Sequence, residues 1–185
     1  MTRVIKRKNL LLITALLAGC ASPSKQSDLN KLHKQVGQLN SEMHQLTRQA
    51  TALTQQNMLN THSTQGAWLL PAATTPVLLD SQAGEIRLSL SPLISEGSHT
   101  QTMLHIRASS QNTLPAFTLQ VEWGELDPTT GKSLQADNQS QSIHVDKVLL
   151  PQSEITVPLM LRNTTPEQTG YLRIHDLVVL VASHP

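Results

Sequence analysis

The chain has 185 residues, with 14 Lys and Arg against 13 Asp and Glu, one cysteine and 2% aromatic residues. That is room for one modest domain plus an appendage. Near-neutral charge and scarce rings exclude the basic, stacking footprint of a nucleic-acid binder, and a lone cysteine excludes an internal disulfide.

The first element is a positive start, Arg3, Lys6, Arg7 and Lys8, followed by an apolar run from Leu10 to Ala18 broken only by Thr14. A spanning helix needs about 20 apolar residues, so this run is too short to cross a bilayer. A basic start, a short apolar run and small residues predict a cleaved signal peptide over residues 1–19. Leu17-Ala18-Gly19-Cys20 resembles the lipobox at which lipoprotein signal peptidase cuts before an acylated cysteine. Cys20 would then be the first mature residue, carrying thioether-linked diacylglycerol and an amide-linked chain such as palmitate. Stable attachment takes at least two anchoring signals, which this modification supplies. Acylation also consumes the only thiol, so no thiol nucleophile or Cys-metal site is expected. Ala21 stands where lipoproteins retained in the enterobacterial inner membrane resemble one another in carrying Asp. The expected address is the inner leaflet of the outer membrane, facing the periplasm. Loss of the four signal cations leaves 10 Lys and Arg against 13 Asp and Glu, a mature net charge of −3.

Residues 20–28 read as a lipidated tether. From Leu29 a 3-4 repeat runs through Leu29, Leu32, Val36, Leu39, Met43, Leu46, Ala50 and Leu53, with leucine at every d position. A 3.5-residue seam predicts a helical, left-handed coiled-coil stalk over 29–60, capped by Ser27 or Asp28. Self-association into a homo-oligomer is the expectation, with a helix folded onto its own head or a loose spacer as alternatives. Gly37 weakens the helix by about 1 kcal/mol relative to Ala. Asn57 and Asn60 continue the register with polar groups and end the apolar seam.

Residues 61–66 read as a hinge and 67–185 as the head. There the hydrophobic period becomes 2: Ile86, Leu88, Leu90; Leu104, Ile106, Ala108; Phe117, Leu119, Val121, Trp123; Ile155, Val157, Leu159, Leu161. With Val77–Leu79, 143–149 and 172–181 this makes about seven strands, the number of an immunoglobulin-like antiparallel β-sandwich. Pro158 points to an edge strand, and Tyr171 stands where such sandwiches place a corner tyrosine. The run 177–181 loses alternation, so that strand is either covered on both faces or bulged.

Gly66-Ala67-Trp68-Leu69-Leu70-Pro71, Leu114-Pro115-Ala116-Phe117, Val121-Glu122-Trp123-Gly124 and the segment from Gly170 to Asp176 resemble the YajI-type lipoproteins of enterobacteria, grouped as a domain of unknown function. The resemblance covers nearly everything after the signal peptide. It implies the anchor and the β-rich head and carries no active site.

Trp68, Leu69 and Leu70 are read first as packing between stalk and head. Together with His175 and Asp176 they are also the candidate partner surface. His144 and Asp146 share a strand face, but no metal-ligand spacing is present. No Gly-x-Ser-x-Gly elbow occurs, and the Ser-x-x-Lys spacing is met only by Ser22 to Lys25, in the tether. The expectation is therefore a non-enzymatic envelope lipoprotein without cofactor or metal, held to the membrane by its acyl chains and contacting an unknown envelope protein. The alternative is a periplasmic module that binds a small molecule or metal.

Overall fold

The computed structural model describes residues 24–61, 63, 66–108, 113–134 and 138–180. Cys20 and the signal peptide predicted over residues 1–19 lie outside these residues.

Helix α1 runs from Ser24 to Thr61, about 57 Å at 1.5 Å per residue. It starts five residues earlier than the repeat predicts. Nothing from Ser24 to Asp28 breaks a helix, since no proline or glycine occurs there. The tether is shortened accordingly. The chain divides into two compact units between Met43 and His44. Leu29, Leu32, Val36, Leu39 and Met43 in the first unit, and Leu46 in the second, are between 55% and 65% exposed.

The described residues of the second unit form nine antiparallel strands: β1 (Ala67–Leu69), β2 (Val77–Ser81), β3 (Gly84–Leu90), β4 (Ile94–Glu96), β5 (His99–Ala108), β6 (Phe117–Gly124), β7 (Gln139–Val145), β8 (Glu154–Arg162) and β9 (Tyr171–Val179). One sheet has the order β1-β9-β6-β7. In the other, β5 pairs β3 and β4 on one side and β8 on the other, with β2 outside β3. Strands β3, β5 and β8 take the places of A, B and E in an immunoglobulin sandwich, and β6, β9 and β7 those of C, F and C′. The place of the last strand, G, is filled from the N-terminal side by β1.

Alternating residues of both sheets meet in one core. Leu88, Leu104 and Ile106 come from one sheet, and Phe117, Leu119, Val121, Leu172 and Ile174 from the other. Each strand therefore has one dry face, as period-2 alternation requires. Among the described residues β8 pairs only with β5, so Pro158 lies on an edge strand, where its missing amide donor is tolerated.

The irregular end of β9 is a bulge. Thr118 pairs Val178 while Gln120 pairs His175, so one extra residue is accommodated on β9. Asp176 takes a positive φ of 51° there, a conformation Asp adopts more readily than most residues. The bulge reverses the phase of the strand. Leu172 and Ile174 face the core before it, and Leu177 packs on the core after it.

Candidate functional site

The last turns of α1 join the head through one face. Ala52, Leu53, Gln56, Leu59 and Asn60 recur at helical spacing, so they share a side of the helix. Ala52 is buried with Leu70, Ala73 and Tyr171, and Leu53, Leu59, Trp68 and Leu126 pack around them. This corrects the predicted seam at its end: Leu53 is covered by the chain's own head, while Ala50 stays exposed. The folded-back alternative thus holds for the final turns of the helix.

Polar side chains make the joint specific. The Leu70 amide donates to Gln56 Oε1 at 2.8 Å, and Gln56 Nε2 donates to Thr75 Oγ1 at 3.0 Å. The Trp68 amide donates to Asn60 Oδ1, and Asn60 Nδ2 donates to the Trp68 carbonyl, both at 2.8 Å. The two Asn60 bonds occupy the side of β1 away from β9. Covering an edge in this way removes a template for unwanted strand pairing.

Trp68-Leu69-Leu70 is therefore not an open partner surface. Leu69 and Leu70 are buried, because β1 turns Leu69 into the sandwich core and Leu70 under the helix. Trp68 is half-buried, with its ring centroid 4.9 Å from that of Tyr171 and the Arg173 guanidinium 5.3 Å above it. The indole thus packs against both side chains of β9.

The outward row Trp68, Arg173, Glu122 crosses β1, β9 and β6 in register. Arg173 Nη1 lies 3.4 Å from Glu122 Oε2. Glu122 Oε1 accepts from Asn138 Nδ2 at 2.8 Å and stands 3.0 Å from the Tyr171 hydroxyl, which is also 2.9 Å from Asn138 Oδ1. Tyr171 is thus held by two side chains, where a tyrosine corner would reach main chain upstream. Burial, and then the Glu122 charge, push its phenol well above the usual tyrosine range. His175 lies beside the same carboxylate, with Nε2 3.7 Å from Glu122 Oε2 and Nδ1 2.9 Å from Asp176 Oδ2. Of the candidate partner residues, only Asp176 is widely exposed; the His175 side chain is 19% exposed.

Above this row opens a cleft of about 870 Å³, walled by Gln55, Met58 and Leu59 of the helix and by the loop from Pro128 to Ser133. Its size is within the range of small-molecule sites. Gln55 Nε2 donates to the Gly131 carbonyl at 3.0 Å, tying one wall to the other. Asp127 Oδ1 accepts from the Thr129 and Thr130 amides at 2.7 and 2.8 Å. Those two donors, Thr130 foremost, hold its carboxyl below the usual carboxylate range.

A second polar group lies on the outer face of the other sheet. Ser91 Oγ is 2.9 Å from His105 Nε2, and His105 Nδ1 is 3.0 Å from Glu154 Oε1. Neither nucleophile motif sought in the sequence contains it, because the three residues meet only through the pairing of β3, β5 and β8. His144, by contrast, stands exposed on β7, and Asp146 lies beyond the strand end. Among the described residues no group of three or more His, Cys, Asp or Glu is placed to hold a metal ion.

Helix and strands together define a β-sandwich protein with a long amphipathic N-terminal helix whose last turns are keyed into one sheet edge. The chain belongs to the DUF3251 family, described as a protein of unknown function, which matches residues 20–183. The uncharacterized lipoprotein YajI of Escherichia coli (strain K12) is 35% identical over 167 residues, 90% of this chain and 93% of its own length. The solution NMR structure of yajI from Escherichia coli aligns with a TM-score of 0.67 at 34% identity, covering 75% of this chain and 82% of that one. The Salmonella enterica trimeric lipoprotein SadB shares the fold, with a TM-score of 0.55 at 15% identity over 85% of this chain and 92% of its own.

Proposed function

We propose that this chain is a lipid-anchored envelope lipoprotein, cleaved before Cys20 and held by acyl chains in the inner leaflet of the outer membrane, facing the periplasm. Its helix self-associates, and the assembled heads make protein contacts or play a structural part in the envelope. The lipobox and the relationship to a lipoprotein support the anchor, and Ala21 supports the outer-membrane address. Among the described residues no helix is long and apolar enough to cross a membrane.

The observation that carries the assembly reading is the exposed stripe Leu29, Leu32, Val36, Leu39, Met43 and Leu46. Six large apolar side chains on one helical seam are costly to leave in water, at roughly 25 cal/mol per Å². Matching helices of further copies cover such a seam by knobs-into-holes packing. The mixed Leu, Val and Met at the a positions do not select a strand number. The trimeric state named for the similarly folded SadB makes three copies the proposed number.

Sedimentation equilibrium of residues 21–185 beside a version beginning at His44 tests this. The longer form should be a trimer and the shorter a monomer. Equal monomer masses for both would overturn the reading. The cut belongs at His44 because a version beginning at Gly66 would also remove Ala52, Gln56 and Asn60 from the head.

The 870 Å³ cleft beside Trp68, Arg173 and Glu122 favours the small-molecule form of the alternative reading. Saturable thermal stabilisation by an envelope metabolite, lost in Arg173→Ala, would establish it.

A further inference from the structure

We propose that Ser91, His105 and Glu154 form a nucleophilic site that hydrolyses esters of short apolar acyl groups. This departs from the expectation of a non-enzymatic head and is independent of the assembly reading, since the site occupies the other sheet.

The hydrogen bonds specify a protonation pattern. Glu154 Oε1, 3.0 Å from His105 Nδ1, accepts the proton on that nitrogen. With Nδ1 protonated, Nε2 carries the free lone pair, and it faces Ser91 Oγ at 2.9 Å. Thr156 Oγ1, 3.2 Å from Nδ1, flanks the ring on the same side as the carboxylate. Nucleophile, base and an acid that orients the base are therefore each within hydrogen-bond reach of the next, the arrangement that activates serine in unrelated folds. Rigid elements supply all three: Ser91 follows β3 with its amide bonded to the Met103 carbonyl at 3.0 Å, His105 is in mid-β5, and Glu154 begins β8.

The serine also opens onto a place for substrate. Ser91 lines a groove of about 190 Å³ with Ile94, Met103, Pro158 and Met160, which is mainly apolar and small. That volume suits a short acyl chain. Gln101 lines the same groove and is the side-chain amide available to the oxyanion, a role amides fill elsewhere.

The reaction needs only the ester and water. Ser91 Oγ attacks the acyl carbonyl carbon while its proton passes to His105 Nε2. The ester C–O bond then breaks, the proton goes to the departing alcohol, and the acyl group is left on Ser91. Water, deprotonated by the same nitrogen, attacks that carbonyl. Cleavage of the acyl–Oγ bond releases the carboxylic acid, and the proton on Nε2 returns to Ser91. Ser91 and His105 are the catalytic residues, and Glu154 is a positioning residue acting through the imidazole.

The test uses the full chain purified in detergent, with a fluorophosphonate probe and p-nitrophenyl butyrate. The expected result is one phosphonyl adduct, located on Ser91 by peptide mass, and ester hydrolysis that falls to the water background in Ser91→Ala. His105→Gln should lower kcat by about 100-fold or more. Glu154→Gln should lower kcat with KM unchanged, and Glu154→Asp should restore part of the loss, a pattern that general destabilisation would not produce. Labelling of the unaltered chain needs no variant to fold. An adduct confined to another serine such as Ser89, no adduct at all, or hydrolysis undiminished in Ser91→Ala would each overturn the proposal.

Discussion

Asn60 pairs with Trp68 as a neighbouring strand would. Its side-chain oxygen takes the Trp68 amide and its side-chain nitrogen donates to the Trp68 carbonyl, each at 2.8 Å. A helix cannot offer main-chain groups sideways, so an amide side chain stands in for them. Asn60→Ala leaves both Trp68 main-chain groups without this partner, and each unsatisfied buried group costs about 1–3 kcal/mol. The expected loss is about 2 kcal/mol or more in urea unfolding of a version beginning at His44. Asn60→Asp, which keeps the acceptor and removes the donor, should fall between.

Gly37 sits in the exposed part of the helix, where an added Cβ would meet nothing within 4 Å. In the heptad it occupies position b, off the seam. Gly37→Ala should therefore add about 1 kcal/mol of helix stability without altering the sedimentation mass. Circular dichroism on heating would show the helix melting later than in the parent.

Tyr171 is the chain's single tyrosine, so absorbance near 295 nm reports its ionisation alone. Burial and the neighbouring Glu122 raise its pKa above the ordinary value of 10.0. The folded protein should show no tyrosinate signal as pH passes 10 and gain one only on unfolding. Because the folded state holds this proton more tightly, the phenol's contribution is complete below pH 10. It declines as pH rises from there toward the folded pKa. Tyr171→Phe should lose hydrogen-bond energy at pH 7 and show a shallower loss of stability in alkali.

Cys20 carries the anchor on the lipobox reading. Cys20→Ser should abolish incorporation of labelled palmitate and leave an uncleaved precursor, heavier by residues 1–19. Continued labelling of that variant would place the acyl chain elsewhere.

The sequence by itself determined which residues are dry. Alternation at Ile86 to Leu90, Leu104 to Ala108 and Phe117 to Trp123 identified core faces, because successive strand residues project to opposite sides whatever the strand pairs with. The 3-4 repeat likewise identified the stripe from Leu29 to Leu46, a property of helix geometry alone. It also narrowed the end of β9 to two possibilities, and the register shift between Thr118 and Gln120 decided for the bulge. Tertiary structure alone decided what the polar residues do. Asn60 read as the polar end of a seam, yet its amide completes the edge of β1, which hydropathy cannot show. Leu69 and Leu70 read as either packing or a partner surface until the sandwich core took the first and the helix covered the second. Arg173 meets Glu122, and His105 meets both Ser91 and Glu154, across separate strands. Burial follows from local projection, whereas which side chains touch follows from long-range strand register, and register is set only when the sheets assemble.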